Sequence, residues 1–370
     1  MLVSRQISSV AVSQSVGLTL AQDILAPADS PAFATSAMDG YAVRVADVPG
    51  VLTMVGDVPA GVVPTAEVRL GAAVRVMTGS ALPVGTEAVV PVEDTYVERD
   101  TVTVRTGTTS GRHLRSAGDD VRAGDIVLQA GQVIGPGQLA ALLANAADHV
   151  RVQLPSRVVV LSTGDELVDA GQEVGPAKIV DTNGPALAAA ATAAGANVVH
   201  VGRLSDDPAN LVAALDALPD CDLVISSGGV SMGAYDVVKT ALAPLGIRFE
   251  PVAMQPGKPQ GWGRLRSGPA FLGLPGNPVS ALICFELFGR AVLGRERLTL
   301  KAELGNPIRR RPSEKRQFLR GRMSGTTVSV EGGPGSHLVV GYARADCLVV
   351  VPEHVEMLPA GAVVDVIPLR

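Results

Sequence analysis

The apolar positions divide the chain into regions of different period. From about residue 42 to residue 128, short apolar runs are separated by Gly and Pro, giving strand candidates at 42–45, 51–55, 72–77, 88–92, 102–105 and 126–128. Short runs punctuated by turn formers predict a small all-β domain. From Arg157 onward the pattern changes. Candidate strands at 158–162, 197–201, 223–226, 247–252 and 270–274 alternate with helical spacing at 185–194, 208–218, 235–243 and 278–293. That alternation predicts βα units around an open parallel sheet. Residues 295–370 return to β character, with strands expected at 328–330, 348–351 and 363–367, and read as a small closed β domain. Their entry, Arg309-Arg310-Arg311-Pro312, reads as solvated surface. Residues 1–25 predict a helix and a strand. The alanine-rich helix 138–147, opened by Gly135-Pro136-Gly137, is expected to pack back on them, making the β region an insertion. Four domains follow: 1–26 with 129–153 as a mixed linker domain, 27–128 as the inserted β domain, 154–297 as the α/β domain and 298–370 as a β-barrel domain.

Composition narrows the function. The 370 residues are 47% hydrophobic but only 3% aromatic, so the cores must be built from Ala, Val and Leu. A net charge of -5, with no basic run interleaved with aromatics, argues against a nucleic-acid partner. No span approaches the roughly 18 apolar residues of a membrane helix, so no membrane association and a cytoplasmic location are expected. Cys221, Cys284 and Cys347 are each flanked by apolar residues and fit no zinc or disulfide spacing; they read as buried thiols.

In an open α/β sheet, ligands bind beyond the carboxyl ends of the strands. The five loops predicted there are Thr163-Gly164-Asp165-Glu166-Leu167, Asp206-Asp207-Pro208, Ser226 to Asp236, Gln255-Pro256-Gly257-Lys258-Pro259 and Pro275-Gly276-Asn277-Pro278-Val279-Ser280. The third has a strand before it, a helix after it and three glycines within, the makings of an anion cradle. Asp236 inside it would repel a bare phosphate, so a cation or a hydroxyl-bearing group is expected between them. A tight structural turn whose Asp caps the next helix explains the same loop equally well. In the fifth loop Asn277 suits an N-cap and Pro278 the first helical position, leaving amides free for an anion, with Ser280 able to add a hydroxyl. The acids Asp165, Glu166, Asp206 and Asp236, beside Lys258, describe a site for a ligand with phosphate and polar ring groups, and imply a divalent metal such as Mg²⁺. Helix capping accounts for Asp206 or Asp207; it accounts less well for Glu166 and Asp236. No Ser-His-Asp or Cys-His arrangement is evident.

These motifs, together with Asp181-Thr182-Asn183-Gly184-Pro185, resemble those of the molybdenum cofactor biosynthesis proteins. Ser36-Ala37-Met38-Asp39-Gly40-Tyr41-Ala42, Arg75-Val76-Met77-Thr78-Gly79 and Gly118-Asp119-Asp120-Val121 extend the resemblance to the longer molybdopterin molybdenumtransferase (MoeA) family, similar also to the gephyrin E domain. The resemblance covers nearly the whole chain in order, and implies a MoaB/MogA-like three-layer α/β domain. It implies Mg²⁺-dependent insertion of molybdate into adenylylated molybdopterin with release of AMP, in a homodimer whose cleft is completed by the partner's β domain. The molybdopterin adenylyltransferase and molybdoenzyme maturation factors would be its partners. Carried over by motif, Asp39, Thr78, Asp120, Glu166, Asp206, Asp236 and Lys258 take the catalytic positions, with Glu166 and Asp236 as metal ligands. Thr163, Gly164, Asp165, Ser227, Gly228, Gly229, Ser231, Gly276, Asn277, Pro278 and Ser280 would hold the nucleotide and molybdate, with Arg316 and Ser336 as weaker matches. The sequence departs from the family at Gln255, where a basic residue is usual, so the oxyanion pocket would carry one charge fewer. Two alternatives are an adenylyltransferase, which has the α/β domain alone, and a non-catalytic gephyrin-like scaffold.

Overall fold

The structure, a computed structural model, describes residues 3, 5–230 and 236–369. The chain forms two compact units, residues 7–153 and residues 1–6 with 154–370.

In the first unit, Ile7–Ala11 and Thr19–Leu20 flank His149–Gln153 in an antiparallel three-stranded sheet, and Ile24–Leu25 pairs with Ile126–Leu128. Both ends of the intervening β region are thereby tied to the same base. Among the described residues no α-helix forms in 1–25; the segment makes three strands and a short 3-10 turn at Val12–Gln14. The pairing partner at 149–153 decides this, because β-branched and small residues opposite a complementary strand adopt its extended backbone. The β region holds a six-stranded mixed sheet with two valine-rich buried clusters, one around Tyr41, Val43, Val90 and Val102, the other around Val58, Val74, Val76 and Val89.

The second unit contains the α/β layer. Its elements are β1 (Arg157–Thr163), α1 (Asn183–Ala193), β2 (Asn197–Leu204), α2 (Pro208–Asp216), β3 (Leu223–Ser227), α3 (Val237–Leu242), β4 (Arg248–Pro251), β5 (Pro259–Arg264), β6 (Ala270–Leu274) and α4 (Pro278–Cys284). The sheet order is β2-β1-β3-β6-β5-β4. The first four strands are parallel; β1, β3 and β6 are buried on both faces, as their continuous apolar runs require, while β2 is a largely exposed edge strand. β5 then runs antiparallel to β6, and β4 pairs only with β5. The loop 255–259 therefore leads into β5, a strand that starts, rather than ends, at the functional edge. Helix α4 continues through a π-helical turn, Phe285–Gly289, to Val292.

Residues 300–304, 316–324, 327–330, 347–351 and 363–368 close into a five-stranded barrel, because strand 316–324 pairs with both 327–330 and 347–351. Closure removes sheet edges and encloses a core of Leu304, Leu319, Val328, Val349 and Val366. Arg310 in the arginine run is not simply solvated: its guanidinium donates to the carbonyls of Val355 at 2.6 Å and Lys315 at 2.8 Å. No helix among the described residues is long and apolar enough to cross a membrane.

Candidate active site

A cavity of about 960 Å³ opens at the carboxyl edge of the parallel strands. Its walls are the predicted loops. β1 ends in Thr163-Gly164, where Gly164 has φ +144° and an added Cβ would lie 2.5 Å from a Glu166 carboxylate oxygen. Only glycine lets that carboxylate fold back over the strand end. Asp165 and Asp206 hold one another's main chain: the Asp165 amide donates to Asp206 Oδ2 at 3.0 Å, and the Asp206 amide to Asp165 Oδ1 at 3.3 Å. Asp207, not Asp206, caps α2, accepting from the Ala209 amide at 2.8 Å. Lys178 Nζ donates to the Asp165 carbonyl at 2.7 Å, bringing a cation to this acidic rim.

The start of α1 is held by Asp181, whose Oδ1 accepts from Ser162 Oγ and the amides of Asn183 and Gly184 at 2.9–3.1 Å. Asn183 then ties three loops together. Its Nδ2 donates to Ser227 Oγ at 2.8 Å and to the Gly276 carbonyl at 2.7 Å, while Ser227 Oγ donates to the Pro275 carbonyl at 3.0 Å. Neither Asp181 nor Asn183 was singled out as a site residue from sequence, although their Asp-Thr-Asn-Gly stretch carries the Asx-turn chemistry that starts a helix.

In the glycine loop, Gly228 and Gly229 have φ +98° and +65°; a Cβ would lie 2.8 Å from the Thr163 carbonyl at the first and 2.7 Å from Val238 Cγ2 at the second. The glycines thus bring β1, β3 and α3 close together. Asp236 lines the cavity immediately before α3. Ser231 lies outside the described residues.

Three further lining segments contain no carboxylate: Gln255, Pro256, Gly257 and Pro259; Gly276 to Pro278 with Ser280; and Pro334, Gly335 and Ser336, which follow strand 327–330. Pro278 does occupy the first position of α4. The amide behind it is not free, however: Val279 N–H donates to the Ser336 carbonyl at 3.1 Å. Lys258 has an exposed side chain that does not line the cavity, and its carbonyl accepts from the Val252 amide at 2.7 Å. Arg316 pairs with Glu353 at 3.1 Å on the barrel and is also outside the lining. Arg320 was missed. It is buried, its Nη1 donates to the Gly335 carbonyl at 2.9 Å, and its Nε has no partner among the described residues. Desolvation pulls its pKa below the ordinary guanidinium value. The sequence signal was a charged residue inside the buried stretch of strand 316–324.

In the other unit, Asp39 Oδ1 accepts from Thr78 N–H at 2.7 Å and Thr78 Oγ1 at 2.8 Å. These bonds, with the field of Arg75, hold the carboxyl below its ordinary pKa. Asp120 sits in a separate turn whose amide donates to the Ser30 carbonyl at 3.0 Å.

The three buried cysteines are free thiols. Burial pushes Cys284 and Cys347 up to about 12, which suits packing rather than nucleophilic chemistry.

A carboxyl-edge cleft in an α/β layer, lined by several carboxylates and by segments free of them, suits a ligand with both donor-rich and anionic parts. The MoeA N-terminal region (domain I and II) matches residues 2–146, a probable molybdopterin binding domain matches 159–295, and the MoeA C-terminal region (domain IV) matches 301–369. Together these define a protein of molybdenum cofactor biosynthesis. Molybdopterin molybdenumtransferase 2 of Mycobacterium tuberculosis is 40% identical over 97% of this chain and 94% of its own length; molybdopterin molybdenumtransferase 1 of that organism is 36% identical over 96% and 93%. Two crystal structures of the molybdopterin biosynthesis MoeA protein of Pyrococcus horikoshii superpose with TM-scores of 0.84 and 0.86, at 31% and 27% identity, each covering 100% of this chain and 96% of theirs. The chain belongs to the molybdopterin molybdenumtransferase (MoeA) family and is a transferase.

Proposed function

We propose that this protein inserts molybdate into adenylylated molybdopterin, with Mg²⁺-dependent release of AMP, and that it works as a homodimer in the cytoplasm. The observation that carries this reading is a cavity lined by the carboxylates of Glu166, Asp181, Asp206 and Asp236 together with three carboxylate-free segments, 255–259, 275–280 and 334–336. A dianion is repelled by the carboxylates and meets no such charge along the carboxylate-free segments, whereas the polar ring and ribose of a pterin nucleotide offer donors to carboxylates.

Among the described residues, no three metal-ligating side chains converge into a ready-made cluster. That suits Mg²⁺, which is commonly held by one or two carboxylates together with substrate phosphates. Glu166 and Asp236 are the residues that would hold it, and when bound it would neutralise the charge on the AMP phosphate that leaves. Asp206 already accepts an amide, so its role is to hold the Asp165 turn and keep the acidic wall in place. Ser280 and Ser336 are assigned to molybdate, with Lys258 and Arg316, whose side chains lie outside the cavity lining, at longer range. Thr163, Gly164, Asp165, Ser227, Gly228, Gly229, Ser231, Gly276, Asn277 and Pro278 are assigned to the nucleotide. Asp39, Thr78 and Asp120 are assigned supporting roles from the inserted domain of a four-domain chain. No side-chain nucleophile is assigned; positioning and electrostatic complementarity drive the exchange.

Purified protein given adenylylated molybdopterin, Mg²⁺ and molybdate should release AMP, and Asp236→Ala should abolish the release. AMP release that ignores molybdate, or full activity in Asp236→Ala, would sink the assignment.

A further inference from the structure

Behind the carboxylate-free segments, a buried polar contact joins two elements that line the cavity. Gln260, the second residue of β5, is 3% exposed. Its Nε2 donates to the Gly257 carbonyl at 2.7 Å and lies 2.8 Å from Cys284 Sγ, at the end of α4. The Gly257 carbonyl is an acceptor only, so the amide must turn its NH₂ toward it. Gln260 Oε1 is then buried with no partner among the described residues. A leucine there would remove this unpaired oxygen but would also take the donor from the buried Gly257 carbonyl, so the amide is kept for the contact it makes with the loop.

From the other side, Cys284 closes on the same loop. Gly257 has φ +103°, an added Cβ would lie 2.3 Å from Cys284 Sγ, and that sulfur sits 3.7 Å from the Gly257 carbonyl. The loop carrying Gln255, Pro256 and Gly257 is thus held between an amide that pulls on its carbonyl and a thiol that stops its backbone.

We propose that Gln260 is a positioning residue for the oxyanion half of the cavity, with Cys284 as its stop. Gln260 draws Gly257 toward α4 and so sets the separation between the Gln255–Gly257 wall and the Asn277–Ser280 wall. This rests on the reading that molybdate binds between those walls. A group that merely filled the core would weaken folding and both substrates together; a group that sets this separation acts on the oxyanion.

The test uses the full-length protein and two variants that reach the loop from opposite sides. Gln260→Leu keeps the volume and removes the donor. Cys284→Val leaves Gln260 in place and adds a branch against Gly257, so it serves if Gln260→Leu does not fold. Each folded variant should raise the KM for molybdate about tenfold, the size of one lost hydrogen bond, with kcat and the KM for adenylylated molybdopterin changed by less than about threefold. Calorimetric titration with molybdate alone should show the same loss of affinity, a readout independent of turnover. Cys284→Ser, which keeps a polar atom facing the Gln260 amide and adds no branch, should recover most of it. Unchanged molybdate affinity in both variants, or equal weakening toward both substrates, overturns the positioning role while leaving the proposed reaction standing. A wild-type protein that neither binds molybdate nor needs it overturns both.

Discussion

Gly164 and Glu166 illustrate how closely backbone and chemistry are joined at this site. The glycine supplies a φ that L-residues rarely adopt and leaves the space that the Glu166 carboxylate occupies. Gly164→Ala should therefore move Glu166, with a fall in AMP release of about 100-fold, as for other displacements on the order of 1 Å. A steady-state assay beside a melting curve separates this from unfolding. Thr78 gives a subtler outcome. Because its amide and hydroxyl hold Asp39 below the ordinary carboxylate pKa, Asp39 stabilises the fold above its unfolded value of about 3.9, and that contribution is lost as pH falls through the lowered folded value. Thr78→Val keeps the amide donor but loses the hydroxyl, so the Asp39 carboxyl should titrate at higher pH than in the wild type, as read by NMR. Glu166 and Asp236 stood out in the sequence as carboxylates in glycine-containing loops, Asp206 as an acid after a strand, and Asp39 through the motif it shares with the family. Asn183, Gln260 and Arg320 did not, since their roles depend on Gly276, Cys284 and Gly335, which lie 93, 24 and 15 positions away and are brought close only by strand pairing and loop crossing.

Helix α4 and its continuation show what element-level reading gains and misses. Proline at the first turn and a long apolar face predict one helix over 278–293, and the helix is there, but its middle is a π turn. Gly289 sits where a Cβ would lie 2.4 Å from the Phe285 ring, so the wider turn accommodates a buried aromatic. On the same turn Glu286 pairs with Arg290 at 2.7 Å and Arg297 at 2.6 Å, all three largely buried. Glu286→Ala would leave two buried guanidinium groups unmatched and should cost about 3–5 kcal/mol of stability in urea unfolding. Glu286→Gln, which retains one acceptor, should lose less. β5 escaped the sequence reading altogether. Its Pro-Gln-Gly-Trp-Gly run lacks period-2 alternation, and its glycines leave room for neighbours: a Cβ added at Gly261 would lie 2.6 Å from the Phe249 ring and one at Gly263 2.7 Å from Ile247 Cδ1.

At the level of the molecule, the order of regimes along the chain announced a β region, an α/β region and a second β region, and each forms. The homodimer is testable here: sedimentation equilibrium should give twice the 37.9 kDa chain mass, and a single species of chain mass contradicts it. Local pattern was sufficient for the parallel strands, the helix starts and the loops beyond the strand ends, because buried runs, prolines and glycines impose their geometry within a few residues. Tertiary structure decided the rest: the antiparallel direction of β5, the closure of the barrel and the occupation of the Val279 amide by Ser336. It also buried Arg320 behind Gly335 and Gln260 behind Gly257. Each depends on which distant segment supplies the other half of a hydrogen bond or a close contact, and long-range pairing leaves no periodic trace in either partner alone.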